Sequence, residues 1–399
     1  DPLADKRHEF ELPTDTIYLD GNSLGALPKV VKSKVAQVVS EQWGQDLITS
    51  WNKHSWIDLP IKVGEKIASL IGADKGQVIC CDSISVNLFK LLCAALKLNT
   101  ERKVVLSTKD NFPTDLYMVQ GITELLGDDL CQLQTVEESD IEQHLTDSVA
   151  VLMLTQVNFR SGKLLDMQKL TRLAHEKGIL VIWDLAHSAG ALPVELDKCQ
   201  ADFAVGCGYK YLNGGPGAPA FLYVAKRHQQ ATKQPLVGWM GHAKPFAFSP
   251  VYEASDNINH FQSGTPSVIA MSALDAALDV WEGVEIQQVR QKSLALADLL
   301  IELVANAPSL HEFVLCSPKE GNKRGSQVAF AHQDAFAMCQ ALIEKNVIAD
   351  FRAPNILRFG LTPLYTSFQD IESAVSFLEH IVQSRLYTKA RFSKPQKVT

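Results

Sequence analysis

Short apolar runs of strand character alternate along this chain with longer runs whose apolar residues recur at helical spacing. That alternation constrains the fold more than any other feature. "QVICC", "KVVLST", "SVAVLMLT", "ILVIWDL", "DFAVGC" and "AFLYVA" are the strand runs, and "VNLFKLLCAALKL", "TDLYMVQGITELLG" and "MQKLTRLAHEKG" are helical segments lying between them. Strands this apolar need cover on both faces, so the pattern predicts an α/β fold with a mostly parallel sheet flanked by helices. A further helix is expected over 29–43, "KVVKSKVAQVVSEQW". From about residue 272 the chain turns helical through "SALDAALDVWEGV" and "LALADLLIELVANA", then continues as "QVAFAH", "DAFAMCQALIEKN", "NILRFGLTP" and "DIESAVSFLEHIVQSR". Three parts are expected: an N-terminal segment, 1–45, joining the small domain; a large ligand-binding domain, 46–271; and a small α+β C-terminal domain, 272–399.

Composition narrows the function classes. The chain has 399 residues, 46% hydrophobic and 21% charged, with a formal charge of -7 and no run of five or six like charges. A nucleic-acid partner is not expected. The longest apolar runs, such as "ILVIW" at 179–183, fall far short of the ~20 residues of a membrane span, so no membrane partner is expected either. Eight cysteines contain no CxxC pair, and most sit in apolar runs. They read as free thiols in a reducing cytoplasm.

Ligands of open α/β sheets bind beyond the carboxyl ends of the strands, and three features fall at that edge. The strand ending in Trp183 runs straight into Asp184, with His187 three residues on. An acid after so apolar a run needs a partner; it reads either as a turn or helix-cap aspartate or as the counter-ion of a ring-nitrogen cation. In "CDSISVNLF", Ser83 and Ser85 precede a helix expected to start near Val86. They read as an N-cap or as a phosphate cradle. Lys210 follows "DFAVGC" by three residues in "GCGYKYLNGGPGAPA", between Tyr209 and Tyr211 and before a glycine run. Aromatic and glycine neighbours indicate close packing, where an ammonium loses its proton readily and becomes nucleophilic. Asp, Lys and a hydroxyl-rich helix start together match the needs of pyridoxal 5'-phosphate (PLP): pyridinium partner, Schiff-base lysine and phosphate cradle.

"IYLDGNSLGALP" (17–28), "NFPTDLY" (111–117), "WDLAHSAGALPVEL" (183–196), "YKYLNGGPG" (209–217), "GWMGH" (238–242) and "LRFGLTPLY" (357–365) occur in order across nearly the whole chain. In these motifs the sequence resembles the kynureninase family, hydrolases of the fold-type-I PLP class. The Asp-to-Lys arrangement is common to the aminotransferase-like superfamily; "DGNSLG", "NFPTD" and "YKYLNGG" in one chain are much more specific. The resemblance implies a seven-stranded sheet in the large domain, PLP as cofactor, and cleavage of L-kynurenine to anthranilate and L-alanine by a cytoplasmic homodimer. Position by position, it implies that Lys210 carries the cofactor, Asp184 pairs with its ring nitrogen and His187 lies close by. Phe112 stacks on the ring beside Pro113, Thr114 and Asp115. Ile84 and Ser85 form the phosphate turn, Tyr209 and Trp239 reach the phosphate, and Thr155 and Thr265 are further cofactor contacts. Arg358 holds the substrate carboxylate. Tyr209 is a candidate proton relay, with phosphate binding as its alternative role. Trp51, Gly264 and Thr265 match the region facing the substrate's aryl ring, where a bulky Trp and a Gly imply preference for kynurenine over 3-hydroxykynurenine. Asn22 and Ser23 are candidate cavity residues, and "DGNS" is equally what a structural turn looks like.

Rival readings within the same fold are a cysteine desulfurase or selenocysteine lyase, then an aminotransferase. A desulfurase needs a cysteine on a mobile loop, and Cys316 in "VLCSPKEGNKRGS" comes nearest. A non-catalytic scaffold is disfavoured by the retained Lys210. The lack of GxGxxG after an early strand disfavours a nicotinamide dehydrogenase.

Overall fold

The computed structural model describes residues 1–394. A two-residue strand, β1 (Ile17–Tyr18), opens the chain's regular structure. The central sheet is built from β2 (Val78–Cys80), β3 (Val104–Thr108), β4 (Gln132–Val136), β5 (Val149–Thr155), β6 (Leu180–Asp184), β7 (Phe203–Cys207) and β8 (Ala220–Val224), in the order β2-β8-β7-β6-β5-β3-β4. Every neighbouring pair is parallel except those made by β8, which runs against both β2 and β7. The expected mostly parallel sheet of seven strands is therefore present.

Its inner strands are buried on both faces, as their sequences require: β3, β5, β7 and β8 are buried at every position. Fully burying each Leu, Ile, Val or Phe of this kind stabilises the fold by roughly 1.5–3 kcal/mol relative to exposure. Even Trp183 is fully buried, with its indole N–H donating to Thr171 Oγ1 at 3.0 Å. Edge strand β4, "QLQTV", has no counterpart among the apolar runs. Four of its five residues are only half-buried, so it carries the polar sequence of an edge.

The smaller part holds β9 (Val314–Leu315), β10 (Gln327–Ala331), β12 (Asp350–Arg352) and β13 (Ile356–Gly360) in an antiparallel sheet ordered β12-β13-β10-β9. β11 (Val347–Ile348) pairs in parallel with β1, which ties the N-terminal segment to this part. Helices Ile286–Asn306, Ala335–Glu344 and Phe368–Gln383 accompany the sheet. The last of these begins with a capping box between Ser367 and Asp370. The helix expected over 29–43 is α-helical from Lys29 to Gln37 and continues as a π-helix to Trp43.

All eight cysteines are unpaired. Among the described residues no helix is long and apolar enough to cross a membrane, and no cluster of His, Cys, Asp and Glu could hold a metal ion.

Candidate active site

The carboxyl ends of β2, β5, β6 and β7 open into a cavity of about 320 Å³, inside the usual range for small-ligand sites. Strand register builds its floor. Thr155, the last residue of β5, pairs with Asp184, the last of β6, and Asp184 with Val205 of β7. Thr155 Oγ1 lies 3.5 Å from Asp184 Oδ2, and the Ala186 N–H donates to Asp184 Oδ1 at 2.8 Å. Asp184 is 2% exposed, and burial pushes its carboxyl above the ordinary value.

Asp115, in the first turn of helix Pro113–Leu126, is fully buried beside it. Burial first, then repulsion from Asp184, lifts its carboxyl well above the ordinary range. Two buried carboxyls so close disfavour each other's ionisation, Lys210 offsets this in part, and Asp115 Oδ1 has no hydrogen-bond partner among the described residues.

Opposite the floor, Lys210 lies in the turn after β7, with Nζ 3.0 Å from His187 Nε2. Nζ also stands about 6.0 Å from the Phe112 ring centre and 5.9 Å from that of Tyr209. Burial pulls the Lys210 ammonium below its ordinary value, and Arg358 and Arg352 act in the same direction against Cys207 and Asp184. Burial and the nearby Lys210 hold His187 well below the usual imidazole range, so it is neutral. The Tyr209 phenol is pushed up by burial and stays protonated.

A third wall is the start of helix Ile84–Leu98. It begins two residues earlier than the sequence pattern indicates, because Ser83 is the N-cap and its Oγ accepts from the Val86 N–H at 3.4 Å. Asp82, Ser83, Ile84 and Ser85 line the cavity, which sets at its wall a helix start whose first N–H groups have no partner within the helix. The carboxylate of Asp82 would repel an anion there. It is matched by Lys90, fully buried, whose Nζ donates to Asp82 at 2.5 Å and to the Phe261 carbonyl at 2.5 Å.

Ile84, Ser85, Phe112, Thr114, Asp115, Thr155, Asp184, His187, Tyr209 and Lys210 all line this one cavity. Pro113 opens the helix that carries Asp115 without lining it. Asn22, Ser23 and Arg358 form a cluster behind Phe159, itself a lining residue, whose carbonyl accepts from Arg358 Nη1. Trp51 packs edge-on against Trp56, with ring centres 5.9 Å apart. Trp239 is 37% exposed against Phe246, and Gly264 and Thr265 are on the surface. None of these last four lines the cavity of the single chain.

Sequence reasoning passed over Asn111, whose Oδ1 accepts from the Phe112 N–H at 2.7 Å and from Thr155 Oγ1. It also passed over Phe159, which packs edge-on on Phe112 with centres 5.2 Å apart. Both sit in loops directly after strand runs, and that position was the available signal.

Comparison with known proteins agrees with this geometry. The family model described as "Kynureninase C-terminal domain" matches residues 289–378, and that of the DegT/DnrJ/EryC1/StrS aminotransferase family matches 61–197. The kynureninase of Deinococcus radiodurans is 50% identical over 381 residues, covering 94% of this chain and 92% of its own length. That of Pseudomonas fluorescens is 45% identical over 403 residues, covering 100% and 97%. The chain belongs to the kynureninase family. In fold, this kynureninase is similar to a cysteine desulfurase of Thermococcus onnurineus, with TM-score 0.79 and 19% identity over 95% of this chain and 98% of that one. It is also similar to a mutant of C-DES with glycine covalently linked to its PLP cofactor, with TM-score 0.80 and 16% identity over 94% and 98%.

The cofactor of this kynureninase is PLP, and the residues present fit it. Among the described residues neither Asp184 nor Asp115 makes an ion pair, and a protonated ring nitrogen would supply one beside these two buried carboxyls. The helix start at Ile84 and Ser85, whose N–H groups have no partner within the helix, suits a phosphate, and the exposed Phe112 suits an aromatic ring.

Proposed function

We propose that this kynureninase hydrolyses L-kynurenine to anthranilate and L-alanine, and 3-hydroxy-L-kynurenine less well to 3-hydroxyanthranilate and L-alanine, in tryptophan degradation and the supply of nicotinamide precursors. One observation carries the reading: a lysine amine held below its ordinary proton affinity and a buried aspartate converge on a single cavity with a free helix start.

When bound, PLP supplies an electron sink for the carbon-bound electron pairs released during cleavage. Asp184 holds the ring nitrogen of that group protonated, with Thr155 and the Ala186 N–H keeping the carboxylate in place. Lys210 takes the proton from the substrate's Cα and returns protons later, with neutral His187 at hydrogen-bond distance from its Nζ. Tyr209 shares the later proton transfers. Arg358 binds the substrate α-carboxylate through its planar fork. Hydrolysis adds water to the γ-ketone and breaks the Cβ–Cγ bond.

The aryl end of the substrate and part of the phosphate site require residues that stand outside the single-chain cavity. We propose a cytoplasmic homodimer in which Trp239, Gly264 and Thr265 serve the neighbouring copy's site and Trp51 faces the aryl ring, with no nucleic-acid partner. The exposure of Trp239, Gly264 and Thr265 supports this. A desulfurase reading finds no support: Cys207 is the only cysteine lining the cavity among the described residues, and it is buried, with burial raising its thiol. Cys316 accompanies β9 and is not a lining residue.

The test is a side-by-side assay with added PLP, following anthranilate fluorescence from kynurenine, product from 3-hydroxykynurenine, and sulfide from cysteine. Kynurenine turned over fastest is the expected result. Faster sulfide release would overturn the reading.

A further inference from the structure

Arg358 is 1% exposed, and both terminal nitrogens of its guanidinium are already engaged by the protein. Nη2 donates to Asp350 Oδ2 and, at 3.0 Å, to Ser23 Oγ; Nη1 donates to the Phe159 carbonyl. With the Asn22 amide oxygen turned towards it, Nε donates there at 3.1 Å, while the Asn22 amino group donates to Asp20 at 3.2 Å. A substrate carboxylate therefore meets a fork that an internal carboxylate already holds.

Asp350 is placed for this by strand pairing, since Asp350 of β12 stands opposite Arg358 of β13. It is also 1% exposed. The same Oδ2 receives a second guanidinium: Arg352 Nη2 donates to it at 2.9 Å and to Ser23 Oγ at 3.3 Å. Arg352 differs from Arg358 in being 37% exposed, so it can move without leaving a buried charge unpaired.

We propose that Asp350 is a positioning residue for the substrate carboxylate: it holds the Arg358 fork in place in the resting site and is kept by Arg352, which it already pairs, when the substrate's carboxylate takes its position on Arg358. The inference rests on the assignment of Arg358 to the α-carboxylate. The physics requires both arginines. Without Asp350, buried Arg358 keeps only Asp20 as a nearby counter-charge and loses the carboxylate that fixes its fork, and Asp350 without Arg352 cannot release Arg358 except at the cost of its own buried charge. Asp350 already pairs with both guanidiniums, so the exchange leaves two ion pairs, with one carboxylate on each arginine in place of one carboxylate shared by two.

The test measures kcat and KM for kynurenine in PLP-loaded Asp350→Asn, Asp350→Glu, Arg352→Gln and Arg358→Lys, with a titration of the bound cofactor's absorbance by L-alanine as a readout independent of turnover. Asp350→Asn is expected to raise KM about tenfold or more, with a much smaller change in kcat, because a hydrogen bond to a charged group is lost from binding. Asp350→Glu should recover part of that loss. Arg352→Gln, at a half-exposed position that threatens folding least, should raise KM several-fold and weaken the L-alanine response in parallel. Unaltered KM in Arg352→Gln, or equal losses of kcat and KM in Asp350→Asn with a lowered melting temperature, would overturn the exchange. If Arg358→Lys raises KM while the other variants do not, the exchange alone is wrong. If Arg358→Lys leaves KM unaltered, the carboxylate assignment falls, and the exchange with it.

Discussion

Lys210 Nζ and His187 Nε2 stand 3.0 Å apart, and burial holds both groups below their ordinary proton affinities. Two cations 3.0 Å apart in a buried site are strongly disfavoured, so the pair carries at most one positive charge. Protonated Lys210 is neither nucleophile nor base. The amine is free only once substrate has displaced it from the cofactor, and its folded value is depressed, so the ascending limb of kcat with pH is expected below the ordinary lysine value of about 10.4. Lys210→Ala should lower turnover by about 10³-fold or more and remove the near-visible absorbance of lysine-bound cofactor. Circular dichroism of the variant should match the parent. An unaltered absorbance band would refute the assignment of Lys210.

Gly25 comes against the lysine turn from the N-terminal segment. Its N–H donates to the Tyr209 carbonyl at 2.8 Å, and a Cβ there would meet the Lys210 carbonyl and come within 2.8 Å of Asn213 Cα. The obstacle is backbone, which yields only if the turn carrying Lys210 moves. Gly25→Ala is expected to reduce kcat by about 10²-fold, since misplacement of a catalytic group by about 1 Å has that effect. Steady-state kinetics beside a thermal melt separates this from unfolding; near-normal kcat would show that the turn tolerates displacement.

The residues legible in the sequence are those whose placement follows from strand ends. Asp184 and Lys210 each follow a run so apolar that it had to be a buried strand, and a polar group there has to face a ligand or a cap. The proposed phosphate turn was legible as far as Ser83 and Ser85, although N-cap and phosphate cradle are chemically alike in sequence; the structure sets the turn on the cavity wall. Edge strand β4 escaped because half-exposed strands need no apolar run. Asp350 escaped for a different reason: in "IADFRAP" it reads as an ordinary acid, and only the pairing of β12 with β13 brings it onto Arg358. The proposed aryl-side role of Trp51 and Gly264 followed from family resemblance alone, and neither lines the cavity around Lys210.

Asp20 gives a pH dependence whose sign can be worked out. Burial and repulsion from Asp350 push its carboxyl up to about 6, against hydrogen bonding from Ser23 and attraction to Arg358. A carboxyl raised on folding contributes stability fully present below its unfolded value of about 3.9, and that contribution is lost as pH rises towards the folded value. Above about pH 6 the penalty is constant, on the order of 2–3 kcal/mol. Asp20→Asn should therefore stabilise the cofactor-free protein against urea more at pH 7.5 than at pH 4.5. Equal effects at the two pH values would mean that Asp20 is not displaced upward.

Asp202 behaves oppositely, at the other end of the same strands. It lies just before β7, 1% exposed, and collects the Val181 N–H at 2.8 Å, His175 Nε2 at 2.8 Å, His228 Nε2 at 2.8 Å and Arg227 Nη2 at 2.6 Å. Burial alone would raise its carboxyl, but the two histidines and the Val181 N–H outweigh it, and the net shift is downward. A lowered carboxyl contributes stability present above its unfolded value and lost as pH falls through the folded one. Asp202→Ala leaves Arg227 and two histidines without their anion and should destabilise by about 3–5 kcal/mol. The loss should shrink as the medium is made more acidic. Because Asp202 stands at the amino ends of strands whose carboxyl ends form the site, kcat measured well below the melting temperature should stay within a few-fold of the parent. Asp184→Ala, at the opposite end of β6, should instead abolish turnover with a smaller change in melting temperature. Thermal melts and anthranilate fluorescence on both variants check the contrast; a large kcat loss in Asp202→Ala at low temperature would show that the two ends of the sheet are coupled.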